Sequence, residues 1–282
     1  MNRKPRRLLT RRNFLMLGGL GVLGTAGGIG AARIESKWLR MTFKKISGLG
    51  LERPLRVLHL SDFHASWCVS WEQIHEAVRT GMAQKPDLVV LTGDYVSSRS
   101  DDISGYGEAL SPLRDFPHCY ASLGNHDGRY LPPDSRARQI EAEMGKAGVR
   151  FLVNQRVDEE VSGQMLRIAG LGDIWRHEAK PWECLLPAGS DGPLTLLLSH
   201  NPDSKVDVED YAWDVMFSGH THGGQIKVPI IDWAPLLPVE DRSMVEGIYD
   251  WKGRKIHITR GVGCLHGIRL FCPPEISIVD LT

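Results

Sequence analysis

Two histidines one residue apart, in Gly219-His220-Thr221-His222-Gly223-Gly224, are the most chemically suggestive stretch of this chain. They follow an apolar run, Val215-Met216-Phe217, that reads as a buried strand. In an extended chain residues i and i+2 point to the same side, so both imidazoles are expected to aim at one place just past the strand. The glycines that follow let the backbone turn away sharply. Neutral imidazole is the commonest metal ligand. An isolated His-x-His is more often a pair of polar loop residues, so the reading depends on what else converges on the spot.

Four other apolar runs end in the same kind of residue. Arg56-Val57-Leu58-His59-Leu60 leads into Ser61-Asp62-Phe63-His64, and Leu88-Val89-Val90-Leu91 into Thr92-Gly93-Asp94. Cys119-Tyr120-Ala121-Ser122-Leu123 ends in Gly124-Asn125-His126-Asp127, and Leu194-Thr195-Leu196-Leu197-Leu198 in Ser199-His200-Asn201-Pro202. Asp and Asn are common turn residues, so one such ending means little. Five in succession would set Asp62, His64, Asp94, Asn125, His200, His220 and His222 along one sheet edge. A nitrogen and oxygen donor set without thiolate suits Mn, Fe, Ni or Zn rather than calcium or a structural zinc. Seven donors are too many for one ion that must keep an open position. Two ions bridged by a carboxylate fit better, and such pairs hydrolyse phosphate esters.

The elements needed to place these residues are legible. Ser70 opens a helix with Gln73 three residues on, a capping-box pattern, and Trp71, Ile74, Val78 and Met82 form its apolar stripe. Strand, helix and strand within about forty residues make a βαβ unit, whose strands are parallel and adjacent, with the ligand crevice at their C-terminal ends. A second amphipathic helix carries Ala137, Ile140, Met144 and Ala147 and stops at Gly148. Short strands are expected over 151–153 and 166–170, and more around 226–230, 255–259 and 275–281.

Composition sets the broad class. The 282 residues are 42% apolar, enough for a sizeable core. Seven of the 34 basic residues and none of the 34 acids fall in 1–33, leaving 27 basic against 34 acidic side chains, a net of −7. A body of that charge argues against nucleic acid as a stable partner. Thr10-Arg11-Arg12-Asn13-Phe14-Leu15 matches the twin-arginine export pattern, and the nineteen uncharged residues from Phe14 to Ala32 include seven glycines. So weakly hydrophobic a stretch suits an export signal better than an ordinary spanning helix. Residues 1–33 are therefore read as a twin-arginine signal recognised by the export machinery, 34–54 as a lead-in and 55–282 as the enzymatic domain. The expected location is the periplasm or the outer face of the bacterial inner membrane, with the segment either removed or kept as a membrane anchor. Gly19-x-Gly21-x-x-Gly24 matches a dinucleotide fingerprint, but no strand precedes it. The five cysteines show no zinc spacing; buried thiols are expected, with Cys264 and Cys272 near enough in sequence to pair.

The blocks Asp62-x-His64, Gly93-Asp94, Gly124-Asn125-His126-Asp127, Ser199-His200 and Gly219-His220-x-His222 stand in the order found in the calcineurin-like metallophosphoesterases, and residues 51–282 resemble that family. His200-Asn201-Pro202-Asp203-Ser204-Lys205, Gly219 to Gln225 and Thr259-Arg260-Gly261-Val262-Gly263 are most similar to its bacterial YaeI-type phosphodiesterases. The resemblance implies a four-layer α/β sandwich of two mixed β-sheets flanked by helices. It implies that Asp62, His64 and His222 hold one divalent ion, that Asn125, His200 and His220 hold a second, and that Asp94 bridges them. A hydroxide shared by the two ions would attack phosphorus in line. His126 would face the leaving group, oriented and kept charged by Asp127.

The chain departs from the protein-phosphatase branch, where Asp-Arg-Gly supplies a phosphate clamp. Here Ser97-Ser98-Arg99 stands instead, which favours an exported phosphodiesterase acting on a small-molecule or lipid diester. Two alternatives remain: a membrane-associated hydrolase of a lipid-linked or nucleotide-sugar pyrophosphate, and a non-catalytic metal-binding scaffold. His59, His75, His118, His177 and His257 are read as ordinary structural histidines, His266 as one whose glycine-rich loop can reach the site, and Asp173 as a turn residue.

Overall fold

The computed structural model describes residues 27–130, 135–227 and 233–282; Arg11, Arg12 and most of the expected signal lie outside them. Among the described residues no helix is long and apolar enough to cross a membrane.

Two six-stranded mixed sheets form the body. The first runs β1-β12-β2-β3-β4-β5, with β1 at Arg40–Ile46, β2 at Leu55–Leu60, β3 at Leu88–Thr92, β4 at Cys119–Ser122, β5 at Arg150–Phe151 and β12 at Glu275–Leu281. The second runs β10-β11-β9-β8-β7-β6, with β6 at Gln155–Val161, β7 at Gln164–Gly170, β8 at Leu194–Leu198, β9 at Val215–Ser218, β10 at Gly247–Trp251 and β11 at Arg254–Ile258. The segment 34–54, expected as a lead-in, contributes β1, which pairs in parallel with β12.

The period-2 pattern of the central strands explains the layering. Leu55, Val57, Leu88 and Val90 face Ile168, Leu196, Leu198, Val215 and Phe217 in one core between the sheets. The alternate residues Leu58, Leu60, Val89 and Leu91 face the other way, into the core beneath the helices. Strands apolar on both faces are what a buried sheet requires. On the far face of the second sheet, Ala169, Leu197, Met216 and Ile256 pack against Leu185, Val208 and Trp213.

Helix α1, Trp71–Met82, covers the first sheet, and the Ser70 hydroxyl caps it by accepting from Gln73 N. The capping box is only half made, because the Gln73 side chain donates to Ser36 O and Val262 O instead. Helix α2, Arg136–Gly145, buries Ala137, Ile140 and Met144. β2, β3 and β4 are parallel, as are β7, β8 and β9. The parallel ladders run on past the strands: His64 N donates to Asp94 O at 3.0 Å, and Gly219 N to His200 O at 3.0 Å. Loops locked to one another by backbone bonds are firm mounts for side chains.

Candidate metal centre

Every apolar strand with a ligand-type ending delivers it to one place. Two groups of three donors form among the described residues: Asp62 with His64 and His222, and Asp94 with His200 and His220. All six side chains are buried. His222 Nε2 lies 3.3 Å from Asp62 Oδ1 and 3.1 Å from His64 Nε2. In the other group His200 Nε2 is 3.1 Å from Asp94 Oδ2 and 3.1 Å from His220 Nδ1. Asp94 Oδ2 also lies 3.6 Å from His64 Nε2, so one carboxylate oxygen adjoins both groups.

The expectation that His220 and His222 share one target through an extended backbone is not met. Both have positive φ, 67° and 50°, and the chain coils so that each joins a different group. Asp62, His64 and Asp94 are left-handed too, at 52°, 47° and 55°. Non-glycine residues in this region cost about 1 kcal/mol or more each and gather at functional sites. Two glycines make the close approach feasible. A Cβ on Gly219 would strike the Asp62 carboxylate and the Ser61 hydroxyl, and one on Gly124 would strike Asp94.

Carbonyl acceptors orient the rings. A carbonyl only accepts, so His200 carries its proton on Nδ1, donating to Thr92 O at 2.6 Å and turning Nε2 to Asp94. His220 is set the opposite way, with Nε2–H donating to Pro238 O at 2.9 Å and Nδ1 turned inward. Backing a ligand histidine with such an acceptor fixes its tautomer and raises its basicity. Burial holds His64 down at about 3 and, with the charge of His200, His220 at about 4, so both stay neutral. Burial also disfavours charge on His200, but the charge and hydrogen bond of Asp94, then Asp62 and Asp173, outweigh it and lift that ring to about 10. Burial, opposed by His200 and reinforced by Asp94, raises Asp62 to about 6. Asp62 and Asp94 thus share one charged imidazole, His200, beside the neutral His64 and His220, and a divalent cation would relieve the remaining negative charge. Asn125 adds an independent sign: its Oδ1 is buried without a hydrogen-bond partner. An orphaned carbonyl oxygen beside an acidic and imidazole donor set fits a hard or borderline cation.

His126 is half-buried beside the first group, its ring 5.0 Å from that of His64 and nearly perpendicular to it. Its Nδ1 donates to Ser97 O at 2.8 Å, and its backbone N–H donates to Asp94 Oδ1 at 2.8 Å. This corrects the part expected of Asp127. The buried Asp127 carboxylate accepts backbone N–H bonds from Asp94 at 2.9 Å, Tyr95 at 2.7 Å and Gly124 at 2.8 Å. It ties the β3 loop to the β4 loop, and the carbonyl of Ser97, not Asp127, orients His126.

Other expectations divide. His59 is a core histidine, bonded to His257 Nδ1 at 2.9 Å and Thr92 Oγ1 at 2.8 Å. His266 is exposed on its loop. Asp173 does close a turn, accepting from Arg176 N at 2.9 Å, but its Oδ2 is buried without a partner. Trp175 sets its ring at a right angle to His220, with centroids 4.4 Å apart. All five cysteines are free, and Cys272 Sγ lies on His222 O at 3.3 Å rather than pairing with Cys264.

Arg269 is the residue that sequence reasoning missed. It is fully buried, and its guanidinium donates to the carbonyls of Gly263, His222, Cys272 and Arg260. Nη2 also lies 3.3 Å from His222 Nδ1. An arginine following a glycine-rich loop reads as solvated, and nothing local marks it otherwise. Arg269→Met is expected to lower the unfolding free energy by about 3 kcal/mol or more, because several buried carbonyls lose their donor together. Urea unfolding followed by circular dichroism measures it; a change under about 1 kcal/mol would mean that water replaces the guanidinium.

Fold and site together define a metal-binding hydrolase of phosphate esters. The profile of the calcineurin-like phosphoesterases matches residues 55–224, and the chain belongs to that family. It is 36% identical to phosphodiesterase YaeI of Escherichia coli, over 97% of this chain and 100% of that protein. It is 25% identical to the UDP-2,3-diacylglucosamine pyrophosphatase LpxG of Chlamydia muridarum, over 80% of this chain and 83% of that one. Among solved structures, the Thermus thermophilus sulfate thiohydrolase SoxB aligns with a TM-score of 0.45 and 15% identity. That alignment covers 80% of this chain and 56% of the other, so this chain spans little more than half of it.

Proposed function

We propose that the chain is a binuclear metal-dependent phosphodiesterase that works outside the cytoplasm. The carrying observation is Asp94 Oδ2, 3.6 Å from His64 Nε2 and 3.1 Å from His200 Nε2, where one carboxylate can serve two ions. Asp62, His64 and His222 would hold the first ion, and His200 and His220, with the unpartnered Oδ1 of Asn125, would hold the second. Two bound divalent cations neutralise the phosphoryl oxygens and lower the pKa of an attacking water. The protein's own part is to keep His64, His220 and His222 neutral by burial, to orient His200 and His220 through Thr92 O and Pro238 O, and to aim His126. With Nδ1 held on Ser97 O, the other ring nitrogen, Nε2, is the one that can pass a proton to the leaving oxygen.

The twin-arginine pattern at Arg11 and Arg12 supports export in the folded state. The likeness to the YaeI phosphodiesterase supports a diester substrate, and the absence of the Asp-Arg-Gly clamp points the same way. The likeness to a UDP-2,3-diacylglucosamine pyrophosphatase favours a second reading, a lipid-linked pyrophosphate.

Stripping the full chain with chelator and reloading it with Mn²⁺, Zn²⁺, Ni²⁺ or Fe²⁺ tests the proposal, read on matched chromogenic mono- and diesters. Metal-restored diester cleavage in excess of monoester cleavage is expected. A monoester preference would make it a phosphatase instead. Cleavage of a lipid-linked pyrophosphate alone would establish the second reading.

A further inference from the structure

Four large apolar side chains stand in water around one small region of this protein: Ile34, Trp38, Trp67 and Phe271, with Trp67 81% and Ile34 73% exposed. They come from three separate parts of the chain. The helical segment over 27–35 ends at Ile34 and Glu35, and Trp38 follows directly, its N–H donating to Glu35 O at 2.9 Å. Glu35 then grips the loop after β11: its carboxylate accepts from Phe271 N at 3.0 Å and from Cys272 N at 2.6 Å. Ser36 Oγ donates to Gly267 O at 3.3 Å, and a Cβ on Gly267 would lie 3.7 Å from the ring edge of Trp67. Backbone and carboxylate bonds therefore tie the segments that carry Ile34, Trp38 and Phe271 together, and the Trp67 ring edge sits beside Gly267 of the same loop.

Phe271 makes the arrangement harder to dismiss as chance exposure. Its φ is 54°, a left-handed conformation unfavourable for an aromatic residue, and it holds a ring that is 58% exposed. Scattered exposed apolar residues need no explanation. A cluster of two tryptophans, a phenylalanine and an isoleucine, with one of them strained, marks an interaction surface.

The charge beside it selects the partner. Residues 27–40 carry Arg33, Lys37 and Arg40 against one acid, Glu35, which is engaged by backbone N–H groups. The Arg40 guanidinium lies over the Trp38 ring at 3.9 Å. Aromatic side chains bordered by lysine and arginine match a bilayer interface with anionic headgroups. A second copy of the same face would bring like charges together. The adjoining chain continues the chemistry: residues 1–26 add six basic side chains and no acid, and the uncharged stretch 14–32 runs directly into this helix.

We propose that Ile34, Trp38, Trp67 and Phe271 form a docking face that seats the folded body on an anionic lipid surface. The loop that presents Phe271 also carries Arg269 against His222, so the docked face lies one loop away from the metal centre. The proposal rests on no step of the hydrolytic reading, and its test measures binding rather than turnover.

The full chain is incorporated into vesicles of equal parts phosphatidylglycerol and phosphatidylcholine, with and without brominated acyl chains, and its tryptophan emission is recorded. The wild-type chain is expected to show a blue shift and bromine quenching. W38F and W67F should each lose part of that quenching, and the double variant most of it, while the far-ultraviolet circular dichroism is unchanged. F271S should reduce the quenching of Trp67 by about twofold or more, since an apolar anchor beside it is gone. Both tryptophans are exposed, so the variants fold. Vesicle-bound protein in which W38F and W67F remove none of the quenching would overturn the proposal, whether residues 1–26 cover the face or it faces water. Failure of the full chain to associate with the vesicles would overturn it as well.

Discussion

Asp94→Ala is expected to lower phosphodiester hydrolysis by at least about a thousandfold and to reduce the bound metal from two ions per chain to one or none. The size follows from how much that one carboxylate does. Its Oδ2 adjoins His64 and His200, and its Oδ1 accepts the His126 N–H. Burial acts to raise the Asp94 carboxyl, yet the charge and hydrogen bond of His200, with His64 and His126, hold it well below the usual carboxylate range. The ionised carboxylate that these neighbours favour is the form that could bridge cations. Asp94→Asn is the paired control, since it keeps the shape and one acceptor for His126 while removing the charge. Elemental analysis gives the metal count, steady-state diester cleavage the activity, and thermal unfolding the fold. Full turnover in a folded Asp94→Ala protein would refute the shared-ligand assignment.

His126→Ala should behave differently, and the contrast separates proton transfer from metal holding. His126 lies beside the two donor groups without belonging to either, so both ions should stay bound. The expected loss is about a hundredfold to a thousandfold in kcat, the range for a positioned general acid. It should grow with leaving-group basicity: an alkyl diester, whose departing alkoxide needs a proton, should suffer more than a nitrophenyl diester. His126→Gln, which can donate a hydrogen bond but cannot transfer a proton, should leave the nitrophenyl rate closer to wild type. An equal loss on both substrates would mean that His126 stabilises charge without giving up a proton. Release of metal would mean that the ring supports the ligand loops.

The local sequence is sufficient for the parts that depend on local patterning. Apolar runs such as Val215-Met216-Phe217 and Leu88-Val89-Val90-Leu91 specify strands buried on both faces, and the helix at Trp71–Met82 follows from its stripe and its Ser70 cap. A βαβ connection makes β2 and β3 parallel, so Asp62 and Asp94 emerge at the same edge. The repeated ligand-type ending of the apolar runs is enough to single out Asp62, His64, Asp94, Asn125, His200, His220 and His222.

The tertiary structure decided how those residues divide. His-x-His spacing in an extended strand predicts a common target, but beyond Gly219, which lies against Asp62, the chain is left-handed at both histidines, and His220 joins Asp94 while His222 joins Asp62. Asp127 follows His126 in sequence, yet its carboxylate is drawn to four backbone N–H groups that no side chain in the sequence announces. Arg269 looks like any surface arginine until the β11–β12 loop folds it under His222. β1 pairs with β12 across more than two hundred residues, a contact that no window of sequence contains. Periodicity determines which face of an element is buried; what meets at its end depends on chain segments far away, and there only the folded molecule sets the chemistry.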